Sequence, residues 1–187
     1  MTDSVGRKEQ IVEAARQLYE DKGVSKTTIK DVADSLGVAR SLIYHYFSDK
    51  GALTSAVLES YVDDYIAALE SWNEERCEGQ IEDALDGAVR ILRMGVFENT
   101  SFRRALDSQE SAALFIEFSN TVADHTARYL AETTAEDYAR LHDMKIDHLY
   151  ETFYVLVLGI CGYVRTHRDV SDALVKDLIV QTLHMDR

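Results

Sequence analysis

Four side chains in one short stretch are of the types that bind nucleic acid: Arg40, Tyr44, His45 and Lys50. A guanidinium can donate to two acceptors of a guanine at once, which suits Arg40 to reading a base edge. Tyr44 and His45 lie further along and suit phosphate or a thymine methyl group. Lys50 falls at the expected start of the next helix, where a positive side chain and free helix-start amides form a phosphate clamp. Any one of these residues alone is an ordinary solvent-facing side chain. Together on one outward face they point to DNA.

The elements that must position them are two short helices. Ile29, Val32, Ala33 and Leu36 recur at i, i+3, i+4 and i+7, so they share one buried helical face. Thr28 precedes this run as a capping hydroxyl, and Asp31 three residues on completes a capping-box pattern. Gly37 follows the last periodic residue and can adopt the left-handed conformation that ends a helix. Apolar spacing then resumes. On a second helix from Ala39 to Phe47, Leu42, Ile43, Tyr46 and Phe47 occupy one arc. Ser41, Tyr44 and His45 occupy the other, with Arg40 at the N-terminal flank. Two helices joined by a short glycine-containing turn make a helix-turn-helix, whose second helix enters the major groove with its N-terminal residues leading.

Thr27-Thr28-Ile29, Val32-Ala33, Leu36-Gly37-Val38, Ile43-Tyr44, Phe47, Lys50 and Leu53 together resemble the signature of TetR-type repressors. The resemblance covers roughly the first third of the chain. Its specificity comes from many spaced positions agreeing at once rather than from one short motif. Ser41 stands where that family commonly has Gly, and Gly51 where it commonly has an acidic residue. Ser41 adds a groove-facing hydroxyl; an interior Gly51 costs up to about 1 kcal/mol of helix propensity. Ala39, Arg40 and Ser41 are therefore expected to read bases, and Thr28, Lys30, Tyr44, His45 and Lys50 to hold phosphate.

The 187 residues include no proline and nine glycines, so the turns that would punctuate a many-stranded protein are scarce. An all-α fold is expected, with about nine helices. The predicted organisation is a three-helix DNA-binding domain over residues 1–51 and a helical effector-binding and dimerisation domain over 52–187. The net charge of −13 falls entirely on the second part, because residues 1–51 carry eight Lys or Arg and eight Asp or Glu. Such a chain should touch few phosphates, repel DNA elsewhere and lose affinity steeply with salt. Cys77 and Cys161 read as reduced thiols, and no disulfide is expected. MTDSVGRKEQ has no apolar signal core, and the apolar run from Phe153 to Val164 is too short to span a bilayer. A cytoplasmic protein without a membrane partner is expected.

Along the chain, Ile11, Ala15 and Leu18 mark a first helix over Arg7 to Lys22, which supports the motif. Arg7 and Lys8 at its start read either as phosphate contacts or as solvated charges. Leu53, Val57, Tyr61, Tyr65, Leu69 and Trp72 predict a long helix after Lys50 that leaves the DNA-binding unit for a second domain. EERCEG, from Glu74 to Gly79, reads as a loop. Ile81 to Leu92 is the next helix, Gly95 to Ser101 a break, Phe102 to Leu106 a short helical piece and Gln109 to Ala131 another long helix. Thr133 to Asp143 fits a loop or a short helix equally well.

The last two helices carry a different signal. Ile146 to His167 is apolar on most sides, so it must bury more than one face. Gly159 and Gly162 allow close approach of another backbone. Leu174, Val175, Leu178, Ile179 and Leu183 form a broad stripe on the final helix. Two such helices meeting their symmetry mates make a four-helix interface, so a homodimer is expected. Its interface is expected to hold Leu156, Gly159, Ile160, Gly162, Tyr163, Leu174, Leu178, Ile179 and Leu183.

The resemblance further implies a small-molecule effector in the second domain and paired recognition helices on a near-palindromic operator in double-stranded DNA. Candidate pocket residues are Tyr65, Leu69, Trp72, Phe115, Phe118, Asn120, His125, Tyr150 and Tyr154, which combine aromatic walls with a few polar groups. Most of these aromatics fit plain core at helical spacing better than a ligand wall, and about one in three is expected to touch a ligand. The acidic body slightly favours neutral or cationic effectors over anions. Arg103 and Arg104 read as partners of surface carboxylates rather than as an anion site. His125, His142 and His148 with Asp143 and Asp147 lack the two-histidine spacing of a helical metal site, so neither a metal nor a cofactor is expected. There is no P-loop, nucleophile elbow or glycine-rich dinucleotide fingerprint, hence no enzyme and no catalytic residue. The competing expectation is a helical dimeric interaction module without specific DNA binding.

Overall fold

The computed structural model describes residues 2–76, 80–93, 112–141, 145–167 and 169–185. All regular structure among them is α-helical: α1 (Thr2–Lys22), α2 (Ile29–Leu36), α3 (Arg40–Tyr46), α4 (Lys50–Glu75), α5 (Ile81–Arg93), α6 (Ala112–Glu132), α7 (Thr134–Leu141), α8 (Leu149–Thr166) and α9 (Asp172–Thr182). Of the segment Thr133 to Asp143, open between loop and helix in the sequence, Thr134–Leu141 forms α7, and residues 142–143 lie outside the described residues. The expected break at Gly95 to Ser101 and the short piece after it lie outside the described residues, as does Cys77. None of the described helices is long and apolar enough to cross a membrane.

The described residues form two compact units that divide within α4, between Asp63 and Asp64. The first holds α1 to α3, the start of α4 and residues 112–116. Its core is built from Ile11, Ala15, Tyr19, Val32, Ala33, Ile43, Phe47, Leu53 and Val57, all nearly inaccessible to solvent. Two buried polar contacts tie α1 to α4: the Tyr19 and Thr54 hydroxyls lie 2.9 Å apart, and the Tyr61 hydroxyl donates to Glu20 at 2.6 Å. The Arg16 guanidinium covers the Tyr61 ring at 4.0 Å. Burial, then the Glu20 carboxylate, raises the Tyr61 phenol above its ordinary range and keeps it a neutral donor.

The second unit holds the rest of α4 with α5, most of α6, α7, α8 and α9. On α6 the buried row is Phe118, Ser119, Val122, Ala123, Thr126 and Ala127, a helical stripe set by i, i+3 and i+4 spacing. Lys176 on α9 bridges Glu82 at 2.7 Å and Asp86 at 2.6 Å on α5. Arg93 at the end of α5 reaches Asp172 and the Val170 carbonyl. Cys161 is a free, fully buried thiol whose pKa burial pushes up to about 12, so it behaves as core.

Candidate nucleic-acid interface and internal cavity

Local chemistry builds the helix pair of the first unit. Thr28 is the N-cap of α2 in extended conformation: its hydroxyl accepts from the Asp31 amide at 3.2 Å, and its own amide donates to the Asp31 carboxylate at 2.7 Å. Lys22 sits 3.2 Å from the same carboxylate. Bonds from the Thr28 hydroxyl and amide, with Lys22 beside them, lower the Asp31 pKa to about 2. At the other end Gly37 takes φ 64° and ψ 33°, and the amides of Gly37 and Val38 donate to Asp34 and Ala33. That is a Schellman termination, which a residue with a side chain forms only under strain.

The turn leads into α3, anchored by Ile43 at 0% exposure and by Phe47 at 4%. With those two turned inward, Arg40, Ser41, Tyr44 and His45 are all exposed, and Ala39 is exposed at the N-cap. Tyr44, at 54% exposure, is a large aromatic surface left in water. The Lys8 ammonium lies 5.8 Å from the Phe47 ring centre, so this α1 residue packs beside the end of α3. The structure thus brings Ala39, Arg40, Ser41, Tyr44 and His45 onto one accessible face.

The remaining three expected phosphate contacts differ in how free they are. Lys30 is exposed and only loosely paired with Asp34, at 3.9 Å. The Thr28 hydroxyl hydrogen is committed to Asp31 at 2.8 Å, so a phosphate contact there would require exchanging that bond. Lys50 is half-buried and donates to the Val24 carbonyl at 2.7 Å, which uses one of its three N–H bonds and fixes its position. The amides at the start of α4 are not all open either, because the Asp49 carboxylate accepts from the Ala52 amide at 2.8 Å. Sequence spacing located Lys50 but carried no sign of Val24, which lies 26 residues away.

The second unit holds a partly open cavity of about 130 Å³. Of the candidate pocket residues, Tyr65, Leu69 and Trp72 of α4 line it, and Phe115, Phe118, Asn120, His125, Tyr150 and Tyr154 do not. Phe115 belongs to the stretch grouped with the first unit. Phe118 is buried core, and His125 is exposed. Asn120, Tyr150 and Tyr154 form a seam between α6 and α8 instead. The Tyr154 hydroxyl donates to Asn120 at 3.3 Å and the Tyr150 hydroxyl to Asp124 at 2.6 Å. Arg128 pairs with the same carboxylate at 3.1 Å, and together with the Tyr150 bond it lowers the Asp124 pKa. The residues that complete the cavity wall include Leu85, Thr126, Tyr138, Leu149, Phe153 and Val157. The signal that could have found the α8 members is the all-round apolarity of that helix, one side of which faces this space.

The expected interface residues on α8 and α9 divide in a similar way. Gly159 and Gly162 are exposed, with no described atom within 4 Å of a side chain built on either. Tyr163 and Leu174 are exposed at 41% and 40%, and Leu178 is half-buried. Ile160 and Ile179 are turned inward, at 4% and 6%, into the unit's own core. Leu156 and Leu183 line the cavity. Each helix presents one face outward and one inward, and a stripe drawn over both mixes the two. Val155, not expected there, is the most exposed large apolar side chain of α8 at 67%.

Residues 11–57 match the sequence profile of the bacterial regulatory proteins of the tetR family, from the middle of α1 into α4. The likeness to that family is carried by the helix-turn-helix unit. The chain is 25% identical over 133 residues to the HTH-type transcriptional repressor KstR2 of Rhodococcus jostii, covering 70% of itself and 59% of that protein. It is 38% identical over 92 residues to the probable HTH-type transcriptional regulator ArpR of Pseudomonas putida, covering 47% and 40%. The chain thus matches less than two thirds of the length of these curated relatives. Among solved structures its fold is similar to that of AlkX from Dietzia, a TetR-family repressor implicated in biodegradation of n-alkanes. The TM-score is 0.67 at 20% identity, covering 94% of this chain and 96% of that one. That likeness is one of fold.

Proposed function

We propose that this chain is a TetR-family regulator: a cytoplasmic, homodimeric transcriptional repressor that binds a near-palindromic operator and is released or recruited by a small molecule held in its second unit. The observation that carries the reading is the outward row of Arg40, Ser41, Tyr44 and His45 on a helix locked from behind by Ile43 and Phe47. A scaffold alone gains nothing from setting a guanidinium, a phenol and an imidazole together in water. Arg40 with Ala39 and Ser41 would read bases; Lys30, Tyr44, His45, Lys50 and Thr28 would hold phosphate.

Dimerisation is supported by the exposed Val155, Gly159, Gly162, Tyr163 and Leu174, an apolar and small-residue face of the kind that pairs two helices with their symmetry mates. Two recognition helices in such a dimer would meet half-sites about one DNA turn, roughly 34 Å, apart. The curated relatives above are named as transcriptional regulators and repressors, which favours regulation over catalysis.

The test is selection of bound DNA from a random pool by the purified chain at two salt concentrations. An inverted repeat is expected, recovered more weakly at the higher salt and lost with Arg40→Ala. Recovery of no preferred sequence at either salt would reject the repressor reading and leave an interaction module.

A further inference from the structure

We infer that the cavity of the second unit takes a small, uncharged, chiefly hydrocarbon ligand about the size of one six-membered ring, and that Trp72 forms the wall between it and the surface. The regulatory consequence of such binding rests on the ligand-controlled reading above; the ligand class rests on the cavity alone.

Volume sets the size. An apolar cavity of about 150 Å³ accommodates benzene. The 130 Å³ here therefore suits roughly six to eight non-hydrogen atoms. The wall chemistry sets the class. Leu69, Leu85, Leu92, Phe153 and Val157 turn aliphatic and aromatic carbon towards the space. The polar side chains at the wall are neutral, and two of them, Tyr65 and Thr126, pair with each other. Thr126 lies 3.1 Å from the Tyr65 hydroxyl and 2.7 Å from the Val122 carbonyl. Thr126 has a single hydrogen to give, so this pair leaves room for one further hydrogen bond, to one polar atom of a ligand. Burial raises the Tyr65 phenol and keeps it neutral. No Lys, Arg, Asp, Glu or His contributes to the wall among the described residues. A charged ligand would exchange hydration for hydrocarbon without a counter-ion.

Trp72 is placed as a partition. It lines the apolar cavity, and with Ala84 and Ile91 it also lines a neighbouring open cleft whose other residues include Arg76, Asp83 and Arg90. A side chain built on Gly87 would come within 2.2 Å of the indole nitrogen, so the ring lies directly on the α5 backbone. Its N–H is buried there without a hydrogen-bond partner among the described residues. With no hydrogen bond to its N–H, the indole is held by packing and by the Arg76 guanidinium 5.9 Å from its ring centre, and so responds to what fills the space behind it.

Trp72 is also the sole tryptophan of the sequence, so emission reports directly from this wall. The full chain, free of DNA, is titrated with cyclohexanol, cyclohexanecarboxylate and cyclohexylammonium, which share a ring and differ in charge. Cyclohexanol is expected to shift Trp72 emission saturably and to raise the melting temperature, with both ions at least about tenfold weaker. Ala88→Phe, which fills the cavity, is expected to abolish the response. Should that variant not fold, the melting shift of the unaltered chain decides. The inference is overturned if cyclohexanol gives neither saturable emission change nor melting shift up to its solubility, or if either ion responds equally. Operator affinity is read separately. Saturable binding by a chain that ignores cyclohexanol in its DNA affinity, or that binds no operator, still supports the ligand class and overturns only the regulatory reading.

Discussion

The two compact units use their apolar side chains to different ends. In the first unit, Ile43 and Phe47 are almost wholly buried behind α3, and this turns a row of polar and aromatic residues outward. In the second, Leu69, Leu85, Phe153 and Val157 are just as apolar but surround about 130 Å³ of unfilled space. Close packing behind a helix holds its outer face in register, which is what reading a groove requires. A core with a void forgoes dispersion contacts that a ligand can restore, which is what responding to a small molecule requires.

That contrast makes Ile43→Ala the most damaging simple truncation. It is expected to cost about 2 to 5 kcal/mol and to remove DNA binding, as read by denaturant unfolding and operator titration. A loss much below that range would show that the seat of α3 is looser than its burial implies. In the second unit the corresponding stress is Gly87→Ala, which forces the Trp72 ring off the α5 backbone. Overpacking of this kind is expected to cost about 1 to 3 kcal/mol, with red-shifted Trp72 emission and operator selection by the first unit retained. Unchanged emission would mean that the indole does not rest where it is placed.

Arg40→Ala tests surface rather than core. It is expected to cost about 1 to 3 kcal/mol of operator affinity, to relax one base preference and to leave stability unchanged. Lys30→Ala should instead weaken all sequences alike and flatten the salt slope by about one charge. Lys50→Ala is a poorer control, because it also removes the bond to the Val24 carbonyl. If Arg40 and Lys30 relaxed the same base preference, the division between base and phosphate contacts would fail.

Thr28→Ala is the smallest of these changes, expected to lower stability by about 1 kcal/mol through loss of the α2 cap. The same cap predicts a pH dependence. The Asp31 pKa is lowered in the folded chain from 3.8 to about 2. Its contribution is therefore present above pH 3.8 and is lost as the pH falls through about 2. Asp31→Asn should flatten that part of the acid-unfolding curve, and an undiminished slope would place the sensitivity in other carboxylates.

The helix pair was legible in the residues because its signals are local. A hydroxyl at Thr28, a carboxylate three residues on and a glycine after Leu36 state where α2 starts and stops, and they act over single turns of chain. The inward arc of α3 follows from the same spacing. Tyr65, Leu69 and Trp72 were legible as the continuation of the α4 stripe. The remainder of the cavity was not, because aromatic content does not say which face of α6 or α8 meets which neighbour. Tyr150 and Tyr154 carry the composition of pocket residues and pack, half-buried, in the cluster with Phe153, yet their hydroxyls bond to Asp124 and Asn120 and they do not line the cavity.

The residues by themselves determined the helices, the turn at Gly37 and the polar row on α3, since capping, left-handed backbone and helical periodicity depend on neighbours a few positions apart. Only the tertiary structure decided that Lys50 is held by Val24, that Ile160 and Ile179 turn inward while Val155 remains exposed, and that Trp72 lies on Gly87 beside an empty space. Those outcomes depend on how whole helices rotate about their axes to pack, and a shift of one residue around a helix, about 100°, moves a side chain from core to solvent.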